Sequence, residues 1–254
     1  FVCGLIDVYA VSGLNDVYLC TTQDEIDREV GVMKQLLEED SVKPVASVDT
    51  EWTILRRLGR NGKAFVVKKG SKLRPGDGVD LVIVTLTDLS TRLFHVSRAG
   101  GAFPESLKNF LQDANVLKVG KSILSADVKR LQEGHGVTMS NCEDLAHMAA
   151  RFNLARKGSS LSDLSEVFTG AALDKDGGER LSKVLSKEQC HYAAQDGIAG
   201  MKVYQRLRSL DPEKEESSDP DDDEEFVKLY GQPSEATMKL AEDFVNAQFN
   251  MKTR

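Results

Sequence analysis

The sequence predicts an α/β domain, a mixed β-sheet flanked by helices, followed by an acidic linker and a C-terminal helix. Three observations carry this reading. Short β-branched runs recur through the first half of the chain, and apolar residues at helical spacing separate several of them. Beyond Gly120 helical patterns take over as far as Leu207.

Residues 1–16 are an N-terminal extension whose apolar stretch 1–12 fits a strand or the end of a truncated element. Val17-Tyr18-Leu19-Cys20 reads as a short strand. Thr22 has the chemistry of a helix N-cap, and Ile26, Val30, Met33 and Leu36/Leu37 then recur at helical spacing. Pro44 stops that helix, and Val45-Ala46-Ser47-Val48 begins a buried strand. Leu81–Leu86 reads as a central strand, and a tight turn over Asp88–Thr91 leads into the next, Arg92–Val96. Phe103–Leu111 predicts a helix and Val116–Val119 a further strand. The order β-α-β, β-β, α-β is what makes the sheet mixed.

After Gly120, Ser122–Gln132 predicts one helix with Ile123, Val128 and Leu131 inward. Ser140 or Asn141 caps a second that runs through Phe152. Ser159 or Ser160 caps a third, with Leu161, Leu164 and Val167 as its apolar stripe. Leu173–Arg180 is a loop rich in Asp and Gly. Ser186 with Gln189 forms a capping-box pattern at the head of a long helix, Lys187–Leu207.

At 254 residues the chain fits one large domain with an appendage, and 41% apolar content suffices for a core. No apolar run approaches the length of a membrane helix, and no signal-peptide pattern opens the chain. It begins on Phe1 rather than Met, so we expect a processed or excised segment. Cys3, Cys20, Cys142 and Cys190 lie far apart without a C-x-x-C pair, which argues against a zinc site and fits a reduced, intracellular protein of nucleus or cytoplasm.

The net charge of −7 is misleading until it is located. Residues 211–226 hold ten acids and one lysine; the remainder has thirty acids against thirty-two bases. The acidity therefore belongs to a flexible linker, 211–233, and does not exclude a polyanionic substrate for the body, 17–210. The segment 234–254 predicts an amphipathic helix with Leu240, Phe244, Ala247 and Met251 on one side. It can pack on the body or bind a protein partner, and the sequence leaves both open. Residues 53–76, with Arg56, Arg57 and six further bases but no acid, read as a glycine-rich loop or loose hairpin suited to a phosphate backbone. A solvated insertion or a partner site fits the same composition.

The chemistry concentrates in carboxylates. Asp49 and Glu51 end the Val45 strand, and residues i and i+2 on a strand point to the same face. Two like charges aimed at one spot call for a cation, and hard ions such as Mg²⁺ and Mn²⁺ take oxygen ligands. Alone, a D-x-E is more often two solvated acids in a turn. Asp127 follows the Val116–Val119 strand, and Asp196 lies on the last long helix. Tyr192 and Asp196 are i and i+4 and share a helical face. His191 is five residues from Asp196, which on a regular helix turns it about 140° away. It reads as a helix-surface residue, and His135 and His147 read as structural.

Taken in order, Asp49-Thr50-Glu51-Trp52, the K-V-G-x₆-D of Lys118–Asp127 and the Y-A-A-x-D of Tyr192–Asp196 resemble the DEDD superfamily of 3′–5′ exonucleases, in its tyrosine-bearing branch. The resemblance covers roughly residues 17–207. It looks closest to Werner syndrome-type exonuclease domains, with RNase D more distant. It implies an RNase H-like fold and a 3′–5′ exonuclease acting on the 3′ end of DNA or RNA. It further implies that Asp49, Glu51, Asp127 and Asp196 hold two Mg²⁺ or Mn²⁺ ions ~3.5–4 Å apart. Tyr192 would orient the attacking water, and the product would be a nucleoside 5′-monophosphate. Trp52, Arg56, Arg57 and Lys121 are the candidate substrate-binding residues, though Trp52 reads more readily as a core residue. Lys121-Ser122 departs from the polar His-Asn or similar pair that many relatives carry. A nucleic-acid-binding adaptor of weak or no activity is the alternative expectation.

Overall fold

The structure is a computed structural model that describes residues 16–39, 43–52, 56–58, 64–66, 78–100, 102–156, 158–173 and 185–210, the two three-residue segments by backbone alone. The N-terminal extension up to residue 15, most of the 173–180 loop, the acidic linker and the C-terminal helix lie outside the described residues.

In chain order the elements are β1 (Val17–Cys20), α1 (Gln23–Glu39), β2 (Val45–Glu51), β3 (Arg56–Leu58), β4 (Ala64–Val66), β5 (Leu81–Thr85), β6 (Thr91–Phe94), α2 (Glu105–Gln112) and β7 (Leu117–Gly120). A π-turn (Ile123–Asp127) leads into α3 (Val128–His135). Then come β8 (Cys142–Asp144), α4 (Leu145–Arg151), α5 (Leu161–Thr169) and α6 (Lys187–Leu210). Six strands pair in the order β1-β6-β5-β2-β7-β8. The pairs β1–β6, β2–β7 and β7–β8 are parallel, while β5 runs antiparallel to both its neighbours, β2 and β6. The mixed sheet flanked by helices is as the sequence predicts. Of the basic stretch 53–76, β3 and β4 pair as an antiparallel hairpin.

Each face of the sheet carries its own helical layer, because side chains on one strand alternate between faces. On one face Ala46, Val48, Val82, Val84 and Phe94 pack against Ile26, Val30, Met33 and Leu37 of α1 and Leu107, Phe110 and Leu111 of α2. Thr22 caps α1 as expected: its Oγ1 accepts from the Glu25 backbone, while the Glu25 carboxylate accepts from the Thr21 and Thr22 amides. Of the two leucines offered for its buried stripe, Leu37 is buried and Leu36 exposed. On the opposite face α6 spans the sheet. It joins Ile83 and Leu93 through Cys190, Ala193 and Ala194, and joins Val45, Val119, α4 and α5 through Met201, Val203, Tyr204 and Leu207. The Ser186–Gln189 box forms at its head, each side chain taking the other's backbone amide.

Two helical expectations differ in detail. The helix expected over Ser122–Gln132 opens as a π-turn, with Ser122 in the left-handed region (φ 60°) and the Val128 amide donating to Ile123 O. The helix expected from Ser140 or Asn141 starts later, because residues 142–144 add the parallel edge strand β8, and Asp144 caps α4 through the Ala146 and His147 amides. Ser160 caps α5 with a full capping box; Leu164 and Phe168 are its buried apolar residues, with Leu161 and Val167 only partly covered. No described helix is long and apolar enough to cross a membrane. Cys20, Cys142 and Cys190 are free thiols.

Candidate active site

The last turn of β2 sets the site. Its register against β5 pairs Asp49 with Ile83 and Glu51 with Leu81, so both carboxylates rise on the face covered by α6. That helix comes unusually near. A Cβ on Gly197 would collide with Thr85 Oγ1 and one on Gly200 with Ser47 Oγ. With Ala193 and Ala194 one turn earlier, these small residues let the helix backbone lie on the sheet. Asp196, beside Gly197, is thereby delivered to the β2 end.

Ligand oxygens of Asp49, Glu51 and Asp196 all lie within 4.8 Å of one another. The expected fourth carboxylate, Asp127, is outside this trio. It is almost wholly buried, at 2% exposure, and its Oδ1 accepts a 2.5 Å hydrogen bond from Thr50 Oγ1. Its charge nevertheless bears on both Asp49 and Glu51.

Crowding shows in the proton affinities. Burial drives the Asp49 carboxyl well above the usual carboxylate range, and the charges of Asp127, Glu51 and Asp196 push the same way. Burial, with Asp196 and Asp127, raises Glu51 to about 7. Burial likewise raises Asp127 to about 7, against the opposing pull of the Thr50 hydroxyl and the Arg130 charge. Carboxyl groups that hold protons near neutrality form a site short of positive charge. Among the described residues its clustered donors are hard carboxylate oxygens, a set that suits a hard divalent cation.

Tyr192 is half-buried on α6 one turn before Asp196. Burial raises its phenol, and the charges of Asp196, Glu51 and Asp49 add to the rise, which puts the side chain in the field of the trio. The i, i+4 argument for Tyr192 thus matches its surroundings. His191 differs from the exposed residue expected: it is partly buried, and its Nδ1 has no hydrogen-bond partner among the described residues. His135 is structural as expected, with Nε2 3.0 Å from Val79 O and its ring against Phe103.

Among the candidate substrate-binding residues, Trp52 is half-buried beneath Arg130, whose guanidinium carbon lies 3.7 Å from the ring centroid. Lys121 stands at the entry to the π-turn, its Nζ 2.5 Å from Ser122 Oγ. Arg56 and Arg57 lie on β3, and their side chains are outside the described atoms. Sequence reasoning missed Thr50, Arg130, Gly197 and Gly200. The small-residue spacing of the two glycines, three apart on a buried helix, was the one local signal available.

Comparison with known proteins bears on the whole body of the fold. The profile described as 3′–5′ exonuclease matches residues 26–210. A 3′–5′ exonuclease from Arabidopsis thaliana is 31% identical over 196 residues, which are 74% of this chain and 62% of that protein. The bifunctional 3′–5′ exonuclease/ATP-dependent helicase WRN of Mus musculus is 26% identical over 170 residues, 65% of this chain and 11% of that one. The chain therefore spans less than two thirds of the length of these curated relatives. The crystal structure of Escherichia coli RNase D superposes with a TM-score of 0.58 at 15% identity, covering 92% of this chain and 51% of RNase D, a likeness of fold.

Proposed function

We propose, because this chain belongs to the 3′–5′ exonuclease family, that it hydrolyses the terminal phosphodiester at the 3′ end of DNA or RNA and releases nucleoside 5′-monophosphates. The observation that carries this reading is the convergence of Asp49, Glu51 and Asp196 to within 4.8 Å, from a strand and a helix far apart in sequence. The active unit is the body, residues 17–210.

Asp49, Glu51 and Asp196, with Asp127, would hold two divalent ions. Mg²⁺ or Mn²⁺ bound there would supply Lewis acidity for the attacking water and for the departing 3′-oxygen. The remaining work falls to the chain's own groups. The raised proton affinity of Tyr192 keeps its hydroxyl a phenol, so it donates a hydrogen bond and orients the attacking water without abstracting its proton. The close seat of α6 fixes Asp196 and Tyr192 as one rigid unit, which converts binding into alignment. Lys121, Arg56 and Arg57 supply positive charge for the sugar-phosphate backbone, and Trp52 packs beside the terminal nucleotide.

The test is degradation of a 5′-labelled oligonucleotide with a free 3′ end in Mg²⁺ or Mn²⁺ against EDTA, with Asp49→Ala/Glu51→Ala protein alongside. A ladder of single-nucleotide steps that needs metal and vanishes in the variant is expected. Retained binding with no ladder on DNA or RNA would sink the exonuclease and leave a nucleic-acid-binding adaptor.

A further inference from the structure

The middle residue of the Asp49-Thr50-Glu51 triplet has a task of its own. Strand alternation sends Thr50 to the face opposite its two acidic neighbours, where the π-turn packs on β2. There its hydroxyl, on a residue 3% exposed, donates to Asp127 Oδ1 across 77 positions of sequence. Asp127 Oδ1 is thereby tied to β2. A second tie lies two residues on: Arg130, one turn past Asp127, covers the Trp52 ring at 3.7 Å. The two ties flank Glu51, so the segment that aims Asp49 and Glu51 at one face also grips the element bearing Asp127 from the other.

The π-turn makes that grip necessary. Its i→i+5 hydrogen bond, Val128 N to Ile123 O, admits one residue more than an α-turn and alters the direction in which Asp127 leaves the backbone. No carboxylate at the end of such a turn is oriented by regular helix geometry alone.

We propose that Thr50 is the positioning residue of the fourth carboxylate, holding Asp127 so that the Asp49/Glu51/Asp196 trio can be extended into a site for a further divalent ion. This rests on the metal-site reading of the trio. The Thr50 hydroxyl acts through Asp127, whereas its backbone amide, which valine retains, bonds to the Asp49 carboxylate.

The experiment counts Mn²⁺ bound to the full chain by electron paramagnetic resonance and titration calorimetry, for the unaltered protein, Thr50→Val, Thr50→Ser, Asp127→Asn and the Thr50→Val/Asp127→Asn pair. Valine keeps the shape and strand preference of threonine and removes only the hydroxyl. Trp52 is the chain's single tryptophan, so an unchanged emission maximum verifies that this corner stays folded. Two ions are expected in the unaltered protein. Thr50→Val should retain the tighter ion within about twofold and weaken the other by ~10–100-fold, the usual effect of losing a hydrogen bond to a ligand. Thr50→Ser should restore it, and Thr50→Val should add nothing on the Asp127→Asn background. Equal binding of both ions by Thr50→Val would overturn the proposal, as would an undiminished effect of that change when Asp127 is already asparagine. An unaltered protein that binds no Mn²⁺ would overturn the metal-site reading and this proposal together.

Discussion

Gly200 on α6 lies directly over Ser47 on β2, with no room for a Cβ between the helix backbone and the serine Oγ. This closeness, repeated where Gly197 meets Thr85, determines the distance between the strand and helix that supply the trio.

Gly200→Ala should therefore injure activity beyond its effect on stability. The added methyl has to push the helix off the sheet, an overpacking cost of about 1–3 kcal/mol. Thermal denaturation should show a fall of several degrees, and single-turnover nuclease assays a loss of at least ~10-fold at temperatures where the variant is still folded. Ser47→Gly in the same chain vacates the space and should recover part of both. Full activity in Gly200→Ala would show that the helix has slack the structure does not suggest.

Burial of the carboxyl groups makes a pH prediction. Glu51 and Asp127 titrate at about 7 in the folded chain against the ordinary carboxylate range near 4 when unfolded. Between those values the folded state holds more protons than the unfolded state, so stability falls as pH rises. The metal-free protein should melt at a higher temperature at pH 5 than at pH 8. Glu51→Gln should flatten that slope and raise the pH 8 midpoint. Saturating Mg²⁺ should raise the pH 8 midpoint of the unaltered protein but not of the variant.

Tyr192 and His191 are separated by their surroundings. Tyr192→Phe should lower kcat by ~10²-fold, the low end for loss of a positioned proton-bearing group, while Mn²⁺ affinity stays within twofold. His191→Ala should leave kcat within about threefold. The reverse ranking in steady-state assays would reassign the water-orienting role.

Lys118 offers a prediction remote from the chemistry. It is fully buried on β7, its Nζ donating to Asp113 O with the Phe110 ring nearby, and burial lowers its pKa to about 8. Between pH 8 and the ordinary lysine range the unfolded state binds more protons, so this group adds stability as pH rises. Burial raises the Cys20, Cys142 and Cys190 thiols to about 12, 11 and 11, which costs both proteins stability over the same range. Denaturant titrations at pH 8 and pH 10 should therefore show Lys118→Met losing more than the unaltered protein. A slope unchanged by the substitution would mean that Lys118 is as protonated folded as unfolded.

The legible part of the site was the part written in short-range geometry. Asp49 and Glu51 share a face because a strand alternates, and Tyr192 and Asp196 because a helix turns every 3.6 residues. The same rules produced the caps at Thr22, Ser160 and Ser186 and the apolar stripe of α1. Strand β8 escaped because three residues with a glutamate and an aspartate among them carry no strand signal; parallel pairing to β7 alone makes them one. The π-turn escaped because Ile123, Val128 and Leu131 suit a regular helix nearly as well.

By itself, then, the sequence determined the mixed sheet, its helical layers and which candidate carboxylates share a face, since each follows from periodicity and residue type within one element. Tertiary structure alone decided the distances. Thr50 meets Asp127, Arg130 covers Trp52, and α6 settles on β2 at glycine contact only because distant segments pack together. Such approaches depend on packing across elements, and no local pattern encodes them.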